Sequence, residues 1–563
     1  MKPGGTLPAR LRGRAAAPTP EERAALLARP RPAPDLQVHE PLKEGTPWLV
    51  QRGSQHYIRV GADIVRLLRS MDGARDHRAL VKALGPPWRE SDVARAVERL
   101  DRMKLLEDGA RRHRGGSRFT YVPPLTFQFT VVRPERLLRR LTPQLGALAG
   151  RTGAGLALAL SVGGALALAL HAPDVSRALG EPLPLSHLIA LTCASVATTA
   201  LHELGHGVVL THHGGKPSRM GVMLFYLMPA FFCDVSDGWR LPHRRQRVQV
   251  AAAGIATQMV IAGTAALTAW AAGGTGGVLD AWDTVLVFAV LTYTTGLLNL
   301  LPFVKLDGYI ALMSRLDLPH LRDRTMTDAR SFLAKALFGG TGYTRELPRL
   351  RWSVPFGLAS MVFPLYLIAL AASLWLGLIQ GTGLIGATLI LTGVCALGHR
   401  AWTGARRLTR QARDAGARTG RITVVWLLVA GAVAAAAAFV PVSYTITGGY
   451  VTKAGRTTLT LPATADRAAL REGAKVTLER RGAVTHTDLA TAHITTPTAQ
   501  HGTAPLSAFV PVREGDTVPV PAYHVPLRVD TGEPDEVGTA RVAAGNRPLG
   551  TWLYLNYIAP AWR

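Results

Sequence analysis

Cysteine is nearly absent: the 563 residues hold three, Cys193, Cys233 and Cys395, each inside an apolar stretch. That excludes a disulfide framework for any exported part, whose folding must rest on packing alone. Acidic residues are scarce as well, 38 Asp and Glu against 64 Lys and Arg, for a formal net charge of +26. Charge of either sign is thin overall, 18% of residues, while 48% are apolar and the mean hydropathy is +0.15. Such a composition excludes a disordered or ordinary soluble protein and points to a membrane. Also missing is an apolar core in the first thirty or so residues, MKPGGTLPARLRGRAAAPTPEERAALLARPRPAP. No signal peptide is therefore expected; residues 1–35 read as a disordered basic N-terminus in the cytoplasm.

A chain this basic either binds nucleic acid or sets its Lys and Arg beside a bilayer. Crossing a bilayer takes roughly 20 apolar residues. Thr152 to Leu170 qualifies, and further candidates follow at about 186–210, 248–272, 280–301, 353–378, 383–398 and 422–441, the sixth being the shortest. Loop charge then tests orientation, because cytoplasmic loops are the ones rich in Lys and Arg. The loop after the first candidate has only Arg177; the next carries Lys216, Arg219, Arg240, Arg244, Arg245 and Arg247. GGTGG near 273 and the turn near 379–383 hold no cation, whereas Lys305 to Arg351 and HRAWTGARRLTRQARDAGARTGR hold many. The expectation is a multi-pass protein of the cell membrane with its N-terminus cytoplasmic and its C-terminal domain outside. Its basic excess is then mostly topological, with anionic lipid as partner. No aromatic-and-basic module interleaves these loops, so no nucleic acid is expected.

Ionisable residues inside a membrane are costly, so each marks a candidate functional site. The second candidate span ends TTALHELGHGVVLTHHGG, with His202, Glu203 and His206. Residues four apart share a helix face, so both imidazoles can reach one metal while Glu203 stands beside it to take a proton from bound water. Two histidines leave a tetrahedral ion short of a protein ligand. The fourth span closes with TTGLLNLLPFVKLDGYI, which sets Asp307 just past its end, after Asn299 and Pro302, at the depth of the histidines. Taken alone, Asp307 reads equally as a helix-terminal turn, DG being a common turn pair. His212 and His213, next to Gly214 and Gly215, read as solvated caps, as do His243 and His320 in basic loops.

HELGH followed by NLLPFVKLDGY resembles the site-2 protease family of intramembrane zinc metallopeptidases, whose signatures are HExxH and an N-x-x-P-x-x-x-L-D-G type motif. The resemblance implies a core over 152–320, with His202, His206 and Asp307 as Zn2+ ligands, Glu203 as general base and Asn299 as a polar group near the scissile carbonyl. It implies peptide hydrolysis, which needs a membrane substrate to unwind before water attacks. The apolar stretch Gly221 to Cys233 is too short to cross and reads either as a re-entrant segment offering substrate a strand edge or as a packing hairpin capped by Asp234, Ser236 and Asp237. Lys305 has no assigned role and is as ready to snorkel to the interface as to act.

Residues 36–112 have the mixed, periodic composition of a small soluble domain. WLVQRGSQHYIRV reads as two strands around Arg52-Gly53; Ile64, Leu67, Leu68 and Met71, then Val93, Val97, Leu100 and Met103, recur at helical spacing. HYIRVGADIVRLLRSMDGARDHRALVKALGPPWRESDVARAVERLDRMKLLEDG is similar to the PqqD-like winged-helix element that binds leader peptides of ribosomally made, modified peptides. That resemblance implies a leader or precursor peptide added to the wing and resting on a helix near 91–103. A DNA-reading winged helix and a plain regulatory domain are the alternatives. The combination resembles the membrane metalloproteases of peptide-natural-product pathways, including the daptide type, and implies leader removal near the cytoplasmic face. Residues 113–151 read as a linker and interfacial segment, 321–442 as additional transmembrane helices and 443–563 as a β-rich barrel or sandwich with no clustered His, Cys or acids. The fold class expected is a polytopic α-helical membrane protein of about seven spans with a small winged-helix N-terminal domain and a small all-β C-terminal domain. A protease cutting an anchored transcription regulator, and a non-catalytic export or immunity component, are the competing functions.

Overall fold

The computed structural model describes residues 20–40, 48–52, 56–107, 119–122, 126–145, 150–225, 228–272, 279–380, 384–513 and 518–562. Residues 1–19, the turn at Gly53, the GGTGG loop and residues 381–383 of the 379–383 turn lie outside them.

Near the N-terminus, strands Leu36–His39, Trp48–Arg52 and His56–Val60 form an antiparallel sheet in chain order. Helices Ala62–Ser70, His77–Leu84 and Glu90–Arg102 follow. Asp76 caps the second of these, its side chain accepting from Ala79 N at 2.8 Å, which satisfies one of the amides a helix start leaves unpaired. Val93, Val97 and Leu100, at helical spacing, point into one core with Leu67, Leu80 and Val50. The two strands around Arg52 are where the alternation set them, and Leu36–His39 adds a third that four residues were too few to reveal. One expectation is corrected: Pro20–Ala28, inside the stretch read as disordered, is a helix. Arg23 pairs with Asp101 at 2.6 Å and Leu27 packs against the core, contacts that a reading of local composition does not register.

Among the described residues, six helices are long and apolar enough to cross a membrane: Arg151–Leu170, Leu185–His212, Arg244–Ala272, Ala281–Asn299, Ser353–Ser373 and Thr419–Phe439. The sixth candidate, 383–398, falls from residue 384 on in Leu384–Asp414, which is not among the six. Its apolar part ends near Leu397, and the helix continues through the arginine-rich segment to Asp414. Arg244–Ala272 is the hub, packed against Arg151–Leu170, Leu185–His212, Leu279–Asn299 and the short helix Asp307–Leu316. Small residues permit this: a Cβ on Gly164 or Gly263 would strike the backbone of the opposite helix.

Beside these helices lies a four-stranded antiparallel sheet, Phe119–Val122, Thr126–Val132, Met220–Phe225 and Met228–Cys233 in that order. The stretch 113–151 is therefore more than a linker: it supplies two strands and the helix Glu135–Leu145, and Thr126 pairs with Phe225 across 99 residues of chain. Across Gly221 to Cys233, the strands Met220–Phe225 and Met228–Cys233 pair antiparallel at the other side of this sheet.

After the last apolar helix, six strands close into an antiparallel barrel. Pro441–Lys453, Arg456–Leu461, Pro519–Gly532, His486–Ile494, Lys475–Arg481 and Val537–Pro548 pair in a ring, because His486–Ile494 bonds both Lys475–Arg481 and Pro519–Gly532. Gln500–Pro505 pairs outside the ring with Pro519–Gly532. Tyr450, Leu459, Leu478, Ala492, Val525 and Val542 fill the interior. The barrel holds the connection between the first two apolar helices: Val484 N bonds Leu179 O at 3.0 Å, Ala483 N bonds Glu181 O at 3.1 Å and Arg513 N bonds Leu183 O at 3.0 Å.

Candidate metal centre

His202 and His206 sit one turn apart on Leu185–His212, each 4% exposed. Each ring is fixed through its Nδ1. That of His206 lies 2.7 Å from the carbonyl oxygen of Val250, and that of His202 lies 2.9 Å from Gln258 Oε1. Both partners are pure acceptors, so each Nδ1 carries the proton and donates, and in a neutral imidazole each Nε2 then carries a lone pair. The two Nε2 atoms stand 3.2 Å apart. Asp307, the first residue of the helix Asp307–Leu316, brings its carboxylate to the same point: Oδ2 is 2.8 Å from His202 Nε2 and Oδ1 is 3.2 Å from His206 Nε2.

Oδ2 of Asp307 is buried and makes no hydrogen bond among the described residues, although a nitrogen lies within 2.8 Å. Donor atoms facing one another at 2.8–3.2 Å with no proton to share repel unless a cation lies between them. With ligand bonds of 2.0–2.2 Å, the edge of a zinc tetrahedron is about 3.3–3.6 Å, so the two separations of 3.2 Å nearly fit and the one of 2.8 Å would open on binding. The donor set of two nitrogens and a carboxylate suits zinc and leaves one tetrahedral position for water.

The helix Arg244–Ala272 supplies what sequence reasoning missed. Val250, Gly254 and Gln258 recur every fourth residue and so share one face. Val250 offers the carbonyl to His206 and Gln258 the amide oxygen to His202; between them, a Cβ on Gly254 would collide with the Nε2 of both histidines. Glycine here keeps open the space where the three ligand atoms converge. Gln258, 2% exposed in the middle of an apolar helix, was the legible signal.

Glu203 points to the sheet: its Oε2 accepts the backbone N–H of Cys233 at 2.7 Å. Its carboxylate stays within 4.8 Å of the histidine ligand atoms, near enough to act on something bound there. Cys233 ends Met228–Cys233, an edge strand with a neighbour on one side only among the described strands. Burial, with the carboxylates of Glu203 and Asp234, pushes the Cys233 thiol well above its ordinary range and keeps it neutral.

Asn299 does not reach the three ligand atoms in the described contacts. Its Nδ2 donates to Gln258 Oε1 at 3.1 Å, so it steadies the amide that orients His202. Lys305 is exposed, as are His212, His243 and His320, while His213 lies 3.0 Å from Gln249 Oε1; these histidines stay apart from the cluster. Compared with family models, curated proteins and solved structures, the chain finds no match.

Proposed function

We propose that the protein is an intramembrane zinc metalloendopeptidase that hydrolyses peptide bonds near the cytoplasmic membrane face. The observation that carries this reading is the convergence of His202 Nε2, His206 Nε2 and the Asp307 carboxylate within 2.8–3.2 Å, beside a glycine gap. These three would hold Zn2+, which when bound lowers the pKa of its water toward 7 and polarises the scissile carbonyl. Glu203 accepts the proton of the attacking water and passes it to the leaving amine. Asn299 holds Gln258, and Gln258 holds the His202 ring in the tautomer that presents a lone pair.

An unwound substrate has backbone groups to satisfy, and an edge strand satisfies them by accepting it as a further strand. Met228–Cys233 is suited to that role because its last amide already bonds the general base, which sets the bound segment beside Glu203. The N-terminal sheet and helices, with their own core, fit a winged-helix module for a leader or precursor peptide. Tethering such a module to the protease raises the local concentration of its substrate. The natural output is leader removal from a ribosomally made, modified peptide, as in the daptide type. Loop charge, with Leu384–Asp414 counted as a seventh crossing, favours the cytoplasm for the N-terminus and this module and the outside for the barrel.

The test is co-expression of the wild type and Glu203→Gln with candidate precursor peptides from the same gene neighbourhood, read by mass spectrometry. Wild type yields a defined cut, while Glu203→Gln retains zinc and loses cleavage by about 10²–10⁴-fold, the usual contribution of a general base. Cleavage undiminished in Glu203→Gln overturns the hydrolase. Cleavage of an anchored regulator with no peptide bound by the N-terminal module supports the regulatory protease instead.

A further inference from the structure

Asp317 lies one helix away from the metal centre and gathers three guanidinium groups. Arg247 Nη2 meets its Oδ1 at 2.6 Å; Arg59 Nη1 and Arg244 Nη2 meet its Oδ2 at 3.4 and 3.8 Å. These arginines come from two parts of the chain. Arg59 belongs to His56–Val60, an edge strand of the N-terminal sheet, whereas Arg244 and Arg247 open the hub helix. Asp317 itself ends the helix that Asp307 begins, in a left-handed conformation with φ of +54° that Asp tolerates better than most residues.

The ties lead to two sides of the metal centre. Arg247 is buried, 3% exposed at its side chain, and is further held by Leu241 O at 3.0 Å and by the Trp239 ring, 5.6 Å from its guanidinium carbon to the ring centroid. Three residues on, Val250 gives its carbonyl to His206. The Arg247–Asp317 pair therefore fixes the helix bearing the Asp307 carboxylate against the helix that orients a histidine. A buried guanidinium without its carboxylate would be left uncompensated, so this register is strongly preferred over a slipped one.

Resting on the metal-centre reading above, we propose that Asp317 is a positioning residue for the third metal ligand, and that Arg59 makes it the contact through which the N-terminal module bears on the metal centre. Peptide laid along His56–Val60 would act on Arg59, and through Asp317 on where Asp307 stands.

The test measures zinc affinity of the full-length protein in detergent by competition with a chromophoric chelator, together with the visible spectrum after Co2+ substitution. Asp317→Asn weakens zinc about 10–100-fold, the range for a residue that supports a ligand, and its Co2+ bands lose the intensity of tetrahedral coordination. Asp317→Glu keeps the charge and stays within about threefold of wild type. Arg59→Glu, on the exposed side, weakens zinc about fivefold at low salt, and added salt removes the difference because these charges are screened. A folding defect would not respond to salt in that way. Wild-type affinity in Asp317→Asn overturns the positioning role, and wild-type affinity of Arg59→Glu at low salt overturns the coupling to the module. Should Asp317→Asn not fold, Asp317→Glu and Arg59→Glu carry the test. A wild-type protein that holds no more zinc than His202→Ala overturns the metal centre itself, and this proposal with it.

Discussion

Helices Arg244–Ala272 and Thr419–Phe439 both qualify as membrane spans, with hydropathies of 1.7 and 2.3, yet they differ in what surrounds them. Half of the apolar window of the first is buried in protein; for the second the share is 6%. The more apolar helix is the more exposed one. A helix facing lipid needs only apolar side chains, because its backbone is satisfied internally. One enclosed by other helices can carry glycine for close approach and a polar side chain that finds partners. Gly254, Gly263 and Gln258 are all on the enclosed helix, and so is the carbonyl that holds His206. Substitutions at matched positions of the two helices should then have very unequal effects.

Gly254→Ala should have the largest. The added methyl enters the space shared by both Nε2 atoms, and the two imidazoles it meets are each tied through Nδ1 and cannot turn aside without losing that bond. Loss of zinc from the purified protein, measured by elemental analysis, is the expected outcome, with cleavage falling below detection. Full zinc occupancy in this variant would remove the distinction drawn between the two helices.

Gln258→Leu comes next. It retains the side-chain volume and the apolar character of the helix but removes the acceptor for His202 Nδ1 and for Asn299. Zinc affinity should fall about 10–100-fold, as when an oriented imidazole loses its partner, and chelator competition measures it. Asn299→Ala acts one bond further from the metal. It should cost a smaller factor in zinc affinity than Gln258→Leu, about threefold or less, since Gln258 keeps its bond to His202. If Asn299→Ala lowers cleavage strongly while zinc is unchanged, the side chain turns toward substrate in the working enzyme, and its role is the one the sequence motif implied.

The same contrast explains what the sequence disclosed. His202, Glu203 and His206 were legible because their spacing is local, and an ionisable group in an apolar run stands out. Asp307 was legible as a partner because loop charge set it at the same depth, and it lies 2.8 and 3.2 Å from the two histidines. Val250 acts through its backbone carbonyl, which leaves no mark in a sequence. Gly254 in AAAGIATQ looks like a packing glycine, and only the approach of another helix shows what it leaves room for. The pairing of Thr126–Val132 with Met220–Phe225 was missed because the second strand comes after two membrane helices, so no short-range pattern announces it. A β-rich barrel or sandwich was expected over 443–563, whereas closure depends on the pairing of His486–Ile494 with Pro519–Gly532, a contact between distant segments.

Gly431→Ala, on the exposed helix, should have the smallest effect. Nothing lies within 4 Å of a Cβ built there, in contrast to Gly254. Alanine also loses less backbone freedom than glycine in a helix, a gain of roughly 0.5–1 kcal/mol where no neighbour objects. Zinc affinity and cleavage should match the wild type, and the melting temperature in detergent should rise by no more than about 2 °C. A loss of zinc from Gly431→Ala would mean that this helix is enclosed in the membrane by something other than lipid. Burial in a second copy of the chain would make the melting temperature depend on protein concentration, which the same melting experiment detects.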